Sequence, residues 1–132
     1  DVGQIAPNGV VYYSDESRPG NGNRPDIVLG DRFGSSCDPR VTRVVRDTLA
    51  ALGLQVQLNR PYAGGFITEN YGRPYEGVHT LQIEINRALY LDETSLMPSP
   101  GFAPLRQGIT LFVSRMMAHL PTLLAPRRMA AE

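Results

Sequence analysis

The sequence has few of the residues that usually bind metals or form cross-links. It contains one cysteine, Cys37, and two histidines, His79 and His119, among 132 residues. A single cysteine excludes a disulfide within the chain and a cysteine-rich zinc site. It also agrees with a reducing compartment, so we predict a cytoplasmic protein.

Lysine and long apolar runs are absent as well. No run approaches the roughly 18 apolar residues of a membrane span, so we expect no membrane partner. The 13 basic side chains are all arginines, and they balance 13 acidic ones to a formal net charge of zero. This balance gives no electrostatic reason to expect nucleic acid as a partner. The planar guanidinium of arginine is, however, well suited to binding carboxylates.

The length and composition predict one domain over residues 1–132 with a single core. Residues 1–25 are rich in Gly, Pro, Asn and Ser, so we expect them to be largely loop, with a short strand in the apolar run 10–13.

The segment from Asp26 to Leu58 predicts a βαβ unit. An apolar strand ends at Gly30, and a helix is expected over 39–52, where Asp38 caps the start and Gly53 closes the end in a left-handed conformation. The alternation of apolar residues over 54–58 then predicts a second strand. Together with a later strand and helix, the pattern predicts an α/β fold with a partial mixed sheet flanked by helices.

Residues 59–74 carry turn-forming residues and the pair Gly64-Gly65, so we expect a loop there. A final amphipathic helix is predicted over 105–120, packed on the sheet, with Met116 and Met117 as core residues. The tail from Pro121 onward is expected to fray.

The stretch from His79 to Glu93 contains the most informative strand. Apolar residues at 81, 83 and 85 alternate with Gln82, Glu84 and Asn86, and Arg87 follows. Such a polar face at a strand end lines a ligand cleft in open α/β sheets. The alternative is structural: Glu84 is an ordinary exposed carboxylate or pairs with Arg87.

Other catalytic arrangements have weaker support. A catalytic metal site needs three protein ligands, and no such set of ligands is identifiable here. Ser35 and Ser36 lie in a turn without a nucleophile-elbow motif. Cys37 precedes a predicted helix, where a thiol pKa can be lowered, and it remains a minor candidate nucleophile.

Several separated segments resemble the N-formylglutamate amidohydrolase (N-formylglutamate deformylase) family, in order and spacing, over roughly residues 24–118. The segments that carry the resemblance are residues 25–37 (PDIVLGDRFGSSC), 59–68 (NRPYAGGFIT), 71–74 (YGRP), 77–87 (GVHTLQIEINR) and 90–93 (YLDE).

The resemblance implies a zinc-dependent hydrolase with a zinc carboxypeptidase-like (phosphorylase/hydrolase-like) fold. Such enzymes hydrolyse N-formyl-L-glutamate to formate and glutamate in histidine catabolism. The matching strand carboxylate, Glu84, would be the general base. By position alone, Arg73 or Arg87 would bind a carboxylate of the N-acyl amino acid. By the same argument Thr68, Asn70 and Tyr71 would border the pocket.

The chain also departs from the family pattern. Family members are about twice as long, and their metal-binding histidines lie in an upstream half, so no metal ligand is assigned here. The chain resembles the C-terminal part of a larger hydrolase domain. Glu69-Asn70 stands where the family often has Arg-His.

Two alternatives therefore stay open. One is a catalytically silent fragment that acts as a structural or subunit-binding module. The other is a deacylase of a different N-acyl amino acid. A missing N-terminal half would expose apolar surface, so we also expect self-association.

Overall fold

The computed structural model of the chain describes residues 10–12 and 24–126. It contains four strands and three α-helices within these ranges: β1 (Val10–Tyr12), β2 (Ile27–Gly30), α1 (Pro39–Ala51), β3 (Val56–Leu58), α2 (Phe66–Tyr71), β4 (Gln82–Ile85) and α3 (Phe102–Leu123). Single 3₁₀ turns lie at Pro74–Glu76 and Arg87–Leu89. The predicted α/β class with a small mixed sheet flanked by helices is confirmed.

The strands form one sheet in the order β1-β4-β2-β3. β2 and β3 run parallel, as the predicted βαβ unit requires, and β1 runs parallel to β4. β4 lies antiparallel to β2, with Gly30 opposite Gln82 and Val28 opposite Glu84. β4 therefore begins at the same edge of the sheet at which β2 and β3 end, which we call the carboxyl-terminal edge.

Helix α1 begins and ends where the sequence predicts. The Asp38 side chain accepts a hydrogen bond from the Arg40 N–H, and Pro39 occupies the first turn, where a missing donor costs nothing. Gly53 has φ of +85°, the left-handed conformation in which a glycine terminates a helix without steric strain.

The hydrophobic core lies on one face of the sheet, between the sheet and helices α1 and α3. Its buried members are Ile27, Leu29, Cys37, Val41, Val45, Leu49, Ile85, Phe112 and Met116. Since successive strand residues point to opposite faces, Val28 and Glu84 belong to the other face.

Three expectations about local structure are wrong. The predicted loop 59–74 contains helix α2, whose six residues are too few to show a helical period. Helix α3 continues through Pro121 to Leu123, because Leu124 still donates to the carbonyl of Leu120. Met117 is 74% exposed, whereas its neighbour Met116 is a core residue as predicted.

The strand expected over 10–13 is present as β1. The loop predicted for the rest of residues 1–23, and the fraying predicted beyond residue 126, lie outside the described residues. No helix in the described part of the chain is long and apolar enough to cross a membrane.

Candidate functional site

Two loops meet at the carboxyl-terminal edge, and a buried hydrogen-bond network fixes them to each other. Asp31 follows β2 and is 6% exposed, and Asn59 follows β3. The Asn59 amide donates to Asp31 Oδ1 at 2.8 Å, and its Oδ1 accepts from the Asp31 N–H at 3.1 Å. Thr42 of α1 donates to Asp31 Oδ2 at 2.9 Å. The network thus joins both loops to helix α1.

The backbone after Asp31 is held in an unusual conformation. Arg32, Phe33 and Gly34 have φ of +51°, +56° and +83°, respectively, so three consecutive residues are left-handed. Non-glycine residues adopt this region rarely, and they cluster in it at functional sites when the surroundings enforce it. The Arg32 N–H donates to the carbonyl of Ala63 at 2.7 Å, which ties this turn to the second loop.

The second loop, residues 59–65, carries the glycine pair and is called the glycine-pair loop. A Cβ added to Gly30 would lie 2.6 Å from the carbonyl carbon of Ala63, so the loop crosses directly over the end of β2. A Cβ on Gly65 would lie 3.2 Å from Gln82 Oε1. The loop can therefore approach the first residue of β4 closely because these positions are glycines.

Glu84 is buried in the middle of the sheet, with 2% of its surface exposed. The Gln82 amide donates to Glu84 Oε1 at 2.6 Å, a short hydrogen bond to a carboxylate. The interpretation of Glu84 as an ordinary exposed carboxylate is therefore wrong. The carboxylate does lie beside the glycine-pair loop, through Gln82.

The two arginines predicted from sequence lie in different places. Arg87 follows Gln82 by five positions and lies beyond the other end of β4, where its Nε is 3.4 Å from Glu93 Oε1. Arg73 follows α2, and its guanidinium is 3.8 Å from Glu76 Oε2 on the surface. The structure does not bring Arg87 to the carboxyl-terminal edge.

The predicted pocket residues all belong to helix α2 but differ in environment. Thr68 is 3% exposed, and its hydroxyl donates to the Gly65 carbonyl at 2.8 Å, next to the glycine pair. Asn70 is exposed and its amide donates to the Phe66 carbonyl. Tyr71 is exposed, with its ring edge against Phe66 at a centroid distance of 6.3 Å. Of the three, Thr68 lies nearest to the glycine pair.

The three candidate nucleophiles, Cys37, Ser35 and Ser36, lie in surroundings that do not activate them. Burial raises the pKa of the Cys37 thiol, and the nearby charges of Asp31 and Asp38 act in the same direction. The prediction of a lowered thiol pKa at this helix start is therefore wrong, because burial outweighs the hydrogen bonds with Thr42 that act to lower the pKa. Ser36 is 1% exposed and its hydroxyl donates to the Thr80 carbonyl, whereas Ser35 donates to the Arg32 carbonyl.

His79 also has a local partner, since its Nδ1 accepts from the Asp38 N–H at 3.1 Å. Among residues 24–126, no three His, Cys, Asp or Glu side chains lie close enough to hold a metal ion. The resemblance places the metal-binding histidines in an upstream half, so the zinc dependence that it implies stays a prediction.

Sequence reasoning placed Gln82 on a cleft-lining strand face but assigned no role to Arg32 or to the Asp31–Asn59 pair. A signal was present, because a polar segment directly after a buried strand falls where open α/β sheets bind ligands. Nothing in the local sequence predicts the left-handed backbone of Arg32 and Phe33, because contacts with residues distant in sequence impose it.

Comparison with known proteins gives the family. The family model described as N-formylglutamate amidohydrolase matches residues 11–91. N-formylglutamate deformylase of Pseudomonas aeruginosa is 40% identical over 74 residues, and that of Pseudomonas putida is 37% identical over 75 residues. These matches cover 55% and 56% of the chain, respectively, but only 28% of each relative.

The crystal structure of N-formylglutamate amidohydrolase from Ralstonia eutropha JMP134 is similar to the fold described above. It superposes with a TM-score of 0.72 and 36% sequence identity, over 77% of this chain and 37% of that one. The chain thus spans well under half the length of the relatives that it matches. Since the family model covers more than half of the chain, this protein belongs to the N-formylglutamate amidohydrolase family.

Proposed function

We propose that this chain contributes the general base to an enzyme that hydrolyses N-formyl-L-glutamate to formate and glutamate. The observation that carries the proposal is the buried Glu84 carboxylate, held by Gln82 beside the glycine-pair loop at the carboxyl-terminal edge. The names of the relatives, N-formylglutamate deformylases, support the substrate. The role in histidine catabolism belongs to the same proposal.

The reaction assigns Glu84 two proton transfers. As the oxygen of water adds to the formyl carbon, the Glu84 carboxylate accepts a proton from that water. When the carbon–nitrogen bond breaks, the same proton passes to the leaving amine, and formate and glutamate are released. The Gln82 amide, at 2.6 Å, fixes the orientation of the carboxylate during both transfers.

The burial of Glu84 fits a functional role better than a structural one. Removing a carboxylate from water is unfavourable, and a hydrophobic residue in mid-strand would stabilise the sheet more. Charged groups are retained in such positions mainly where their chemistry is needed. We therefore expect Glu84→Gln to lose activity while the protein remains folded.

Zinc dependence and the roles of the remaining pocket residues are also part of the proposal. The described donors do not form a three-ligand site, so no step is derived through a metal. Thr68, next to the glycine pair, is proposed to support the pocket wall, and the exposed Asn70 and Tyr71 to border it.

The test of Glu84 is formate release from N-formyl-L-glutamate, with zinc supplied, by the wild-type protein and by Glu84→Gln. The variant keeps the acceptor for Gln82 but cannot take a proton, so kcat should fall by about 100-fold or more. Asp47→Asn, an exposed charge on α1 on the other face of the sheet, is the matched control and should retain turnover. Undiminished turnover by a folded Glu84→Gln protein removes Glu84 from the mechanism.

The same assay separates the alternatives. A catalytically silent module releases no formate in any of these samples, and it should bind no stoichiometric zinc in a titration. A deacylase of another N-acyl amino acid should prefer a different member of a panel of N-formyl and N-acetyl amino acids.

A further inference from the structure

The fold places Arg32 against the glycine-pair loop, to which the sequence analysis did not assign it. Its Cγ would lie 3.2 Å from a Cβ on Gly64, and its N–H donates to Ala63 at 2.7 Å. Gly64 also lies against Thr68, and Gly65 lies against Gln82, which holds Glu84. Arg32 is thus separated from the proposed base by the glycine pair and one side chain.

The position of Arg32 is set by a conformation that the protein has to enforce. Three left-handed residues in succession are held by Ala63, by Asn59 Oδ1, which accepts from the Phe33 N–H at 3.4 Å, and by Asp31 Oδ1, which accepts from the Gly34 N–H at 3.0 Å. This network aims one cationic side chain along the carboxyl-terminal edge, and a relaxed turn would aim it elsewhere.

The guanidinium of Arg32 is available to a ligand. Among residues 24–126 it pairs with Glu69 at 3.5 Å, and the two side chains are 35% and 62% exposed. Exposed pairs of this length contribute little and are readily exchanged for a better partner. Arg87 differs, because it lies in a 3₁₀ turn beyond the other end of β4 and pairs with Glu93, and β4 alone spans about 10 Å from Gln82 to Ile85.

We infer that Arg32 binds the side-chain carboxylate of the substrate. The inference rests on the proposed function, in which the substrate carries two carboxylates and no positive charge. Glu69 adds a negative charge at this edge and Glu84 lies two residues into β4, so a cation is needed nearby for a dianion to bind. A guanidinium holds a carboxylate through two parallel hydrogen bonds, which a single-point cation cannot reproduce.

The register of the strands favours the side-chain carboxylate of the substrate over its α-carboxylate as the group that Arg32 binds. Glu84 lies opposite Val28, and Arg32 follows Val28 by four positions. β2 accounts for two of these steps, roughly 7 Å along the strand, before the chain turns at Arg32. The α-carboxylate is joined to the carbon next to the reacting nitrogen, whereas the side-chain carboxylate lies at the other end of the molecule and matches this spacing better.

The experiment compares N-formyl-L-glutamate with N-formyl-L-glutamine, which has the same shape and no side-chain charge. Wild-type, Arg32→Lys and Arg32→Met proteins are assayed, and all three share the backbone requirement at this position. We expect Arg32→Met to lower kcat/KM for the glutamate substrate by about 10- to 100-fold and to leave that for the glutamine substrate nearly unchanged. Arg32→Lys should recover only part of the loss.

Two further variants sharpen the result. Glu69→Gln removes the competing carboxylate from Arg32 and should lower KM for N-formyl-L-glutamate. Arg43 is an exposed arginine of α1 on the other face of the sheet. Arg43→Met should leave kcat/KM unchanged for both substrates. An equal loss for both substrates in Arg32→Met, or selective loss in Arg73→Met or Arg87→Met instead, overturns the inference.

Calorimetric titration of N-formyl-L-glutamate into Glu84→Gln, with and without Arg32→Met, separates the two proposals. Arg32-dependent binding to Glu84→Gln, together with no formate release by the wild-type protein, contradicts the proposed hydrolysis and supports the inference. If Arg32→Met changes neither the turnover of the protein that keeps Glu84 nor the binding to Glu84→Gln, the proposed hydrolysis is retained and the inference is overturned.

Discussion

At the level of single residues, the charged groups of this chain fall into two kinds. Glu84 is buried and accepts a hydrogen bond from the Gln82 amide, whereas Asp38 is a helix cap with an arginine on both of its oxygens. Burial of the first kind is unfavourable unless the charge is compensated, and the second kind contributes stability through the fold.

Asp38 gives a pH-dependent prediction. Hydrogen bonds from the Arg40 side chain lower the pKa of Asp38 from its usual 3.8 to about 2. A depressed carboxyl pKa stabilises the folded state above the unfolded value, and this contribution is lost as the pH falls from about 4 to about 2. Asp38→Asn keeps a capping oxygen but not the charge, so its Tm should be modestly below wild type near about pH 6.

The Tm difference between wild type and Asp38→Asn should shrink through that acid window, measured by circular dichroism at a series of pH values. Other carboxyl groups titrate in both proteins and cancel in the difference. A difference that stays constant down to about pH 2 would show that the charge of Asp38 does not contribute.

At the level of elements, close contacts between backbones decide where the glycines are needed. The glycine-pair loop crosses β2 at Gly30, where a Cβ would meet Ala63 and Gly64 backbone atoms at 2.6 Å. In helix α3, by contrast, a Cβ on Gly108 would lie 3.6 Å from Leu52 Cδ1, an ordinary van der Waals distance. The two glycines therefore have opposite consequences for stability.

We predict that Gly30→Ala destabilises the protein by about 1–3 kcal/mol, because the loop or strand has to shift. Gly108→Ala should stabilise it by up to about 1 kcal/mol, because alanine favours a helix interior. Urea denaturation of both variants measures the two free energies of unfolding. If Gly30→Ala were as stable as wild type, the close crossing of the loop over β2 would be refuted.

At the level of the whole molecule, the sheet is covered on one face by α1 and α3, and α3 joins the core through only part of its surface. Phe112 and Met116 are buried, while Leu111, Val113 and Met117 are exposed. This exposed apolar surface keeps self-association a prediction for the chain. The adjacent methionines offer a direct test of where the core ends.

Met116→Ala should destabilise the protein by about 2–5 kcal/mol, because it leaves a cavity between α1, α3 and the sheet. Met117→Ala should change the free energy of unfolding by no more than about 0.5 kcal/mol, because its side chain is exposed. The measurement is the denaturant midpoint of each variant. Similar losses for both would show that α3 is packed in a different rotation.

Several features of this molecule follow from local sequence alone. The helix over 39–51, its Asp38 cap, the left-handed Gly53 and the parallel pair β2–β3 were predictable because each depends on neighbours within a few residues or on a clear period. Family membership was predictable as well, from separated motifs in a common order. In contrast, the six residues of α2 show no period, and the loop prediction there was wrong.

The alternation over 81–86 determined that Glu84 and Ile85 point to opposite faces, but it could not say that both faces are buried. Likewise, the sequence places Arg32 after a strand, and only the packing of Ala63 and Asn59 against it imposes the left-handed backbone that aims its side chain. Local pattern sets which residues share a face, because that is a property of the covalent chain. Tertiary structure decided what covers each face and which arginine lies beside the glycine pair, because those depend on contacts between segments far apart in sequence.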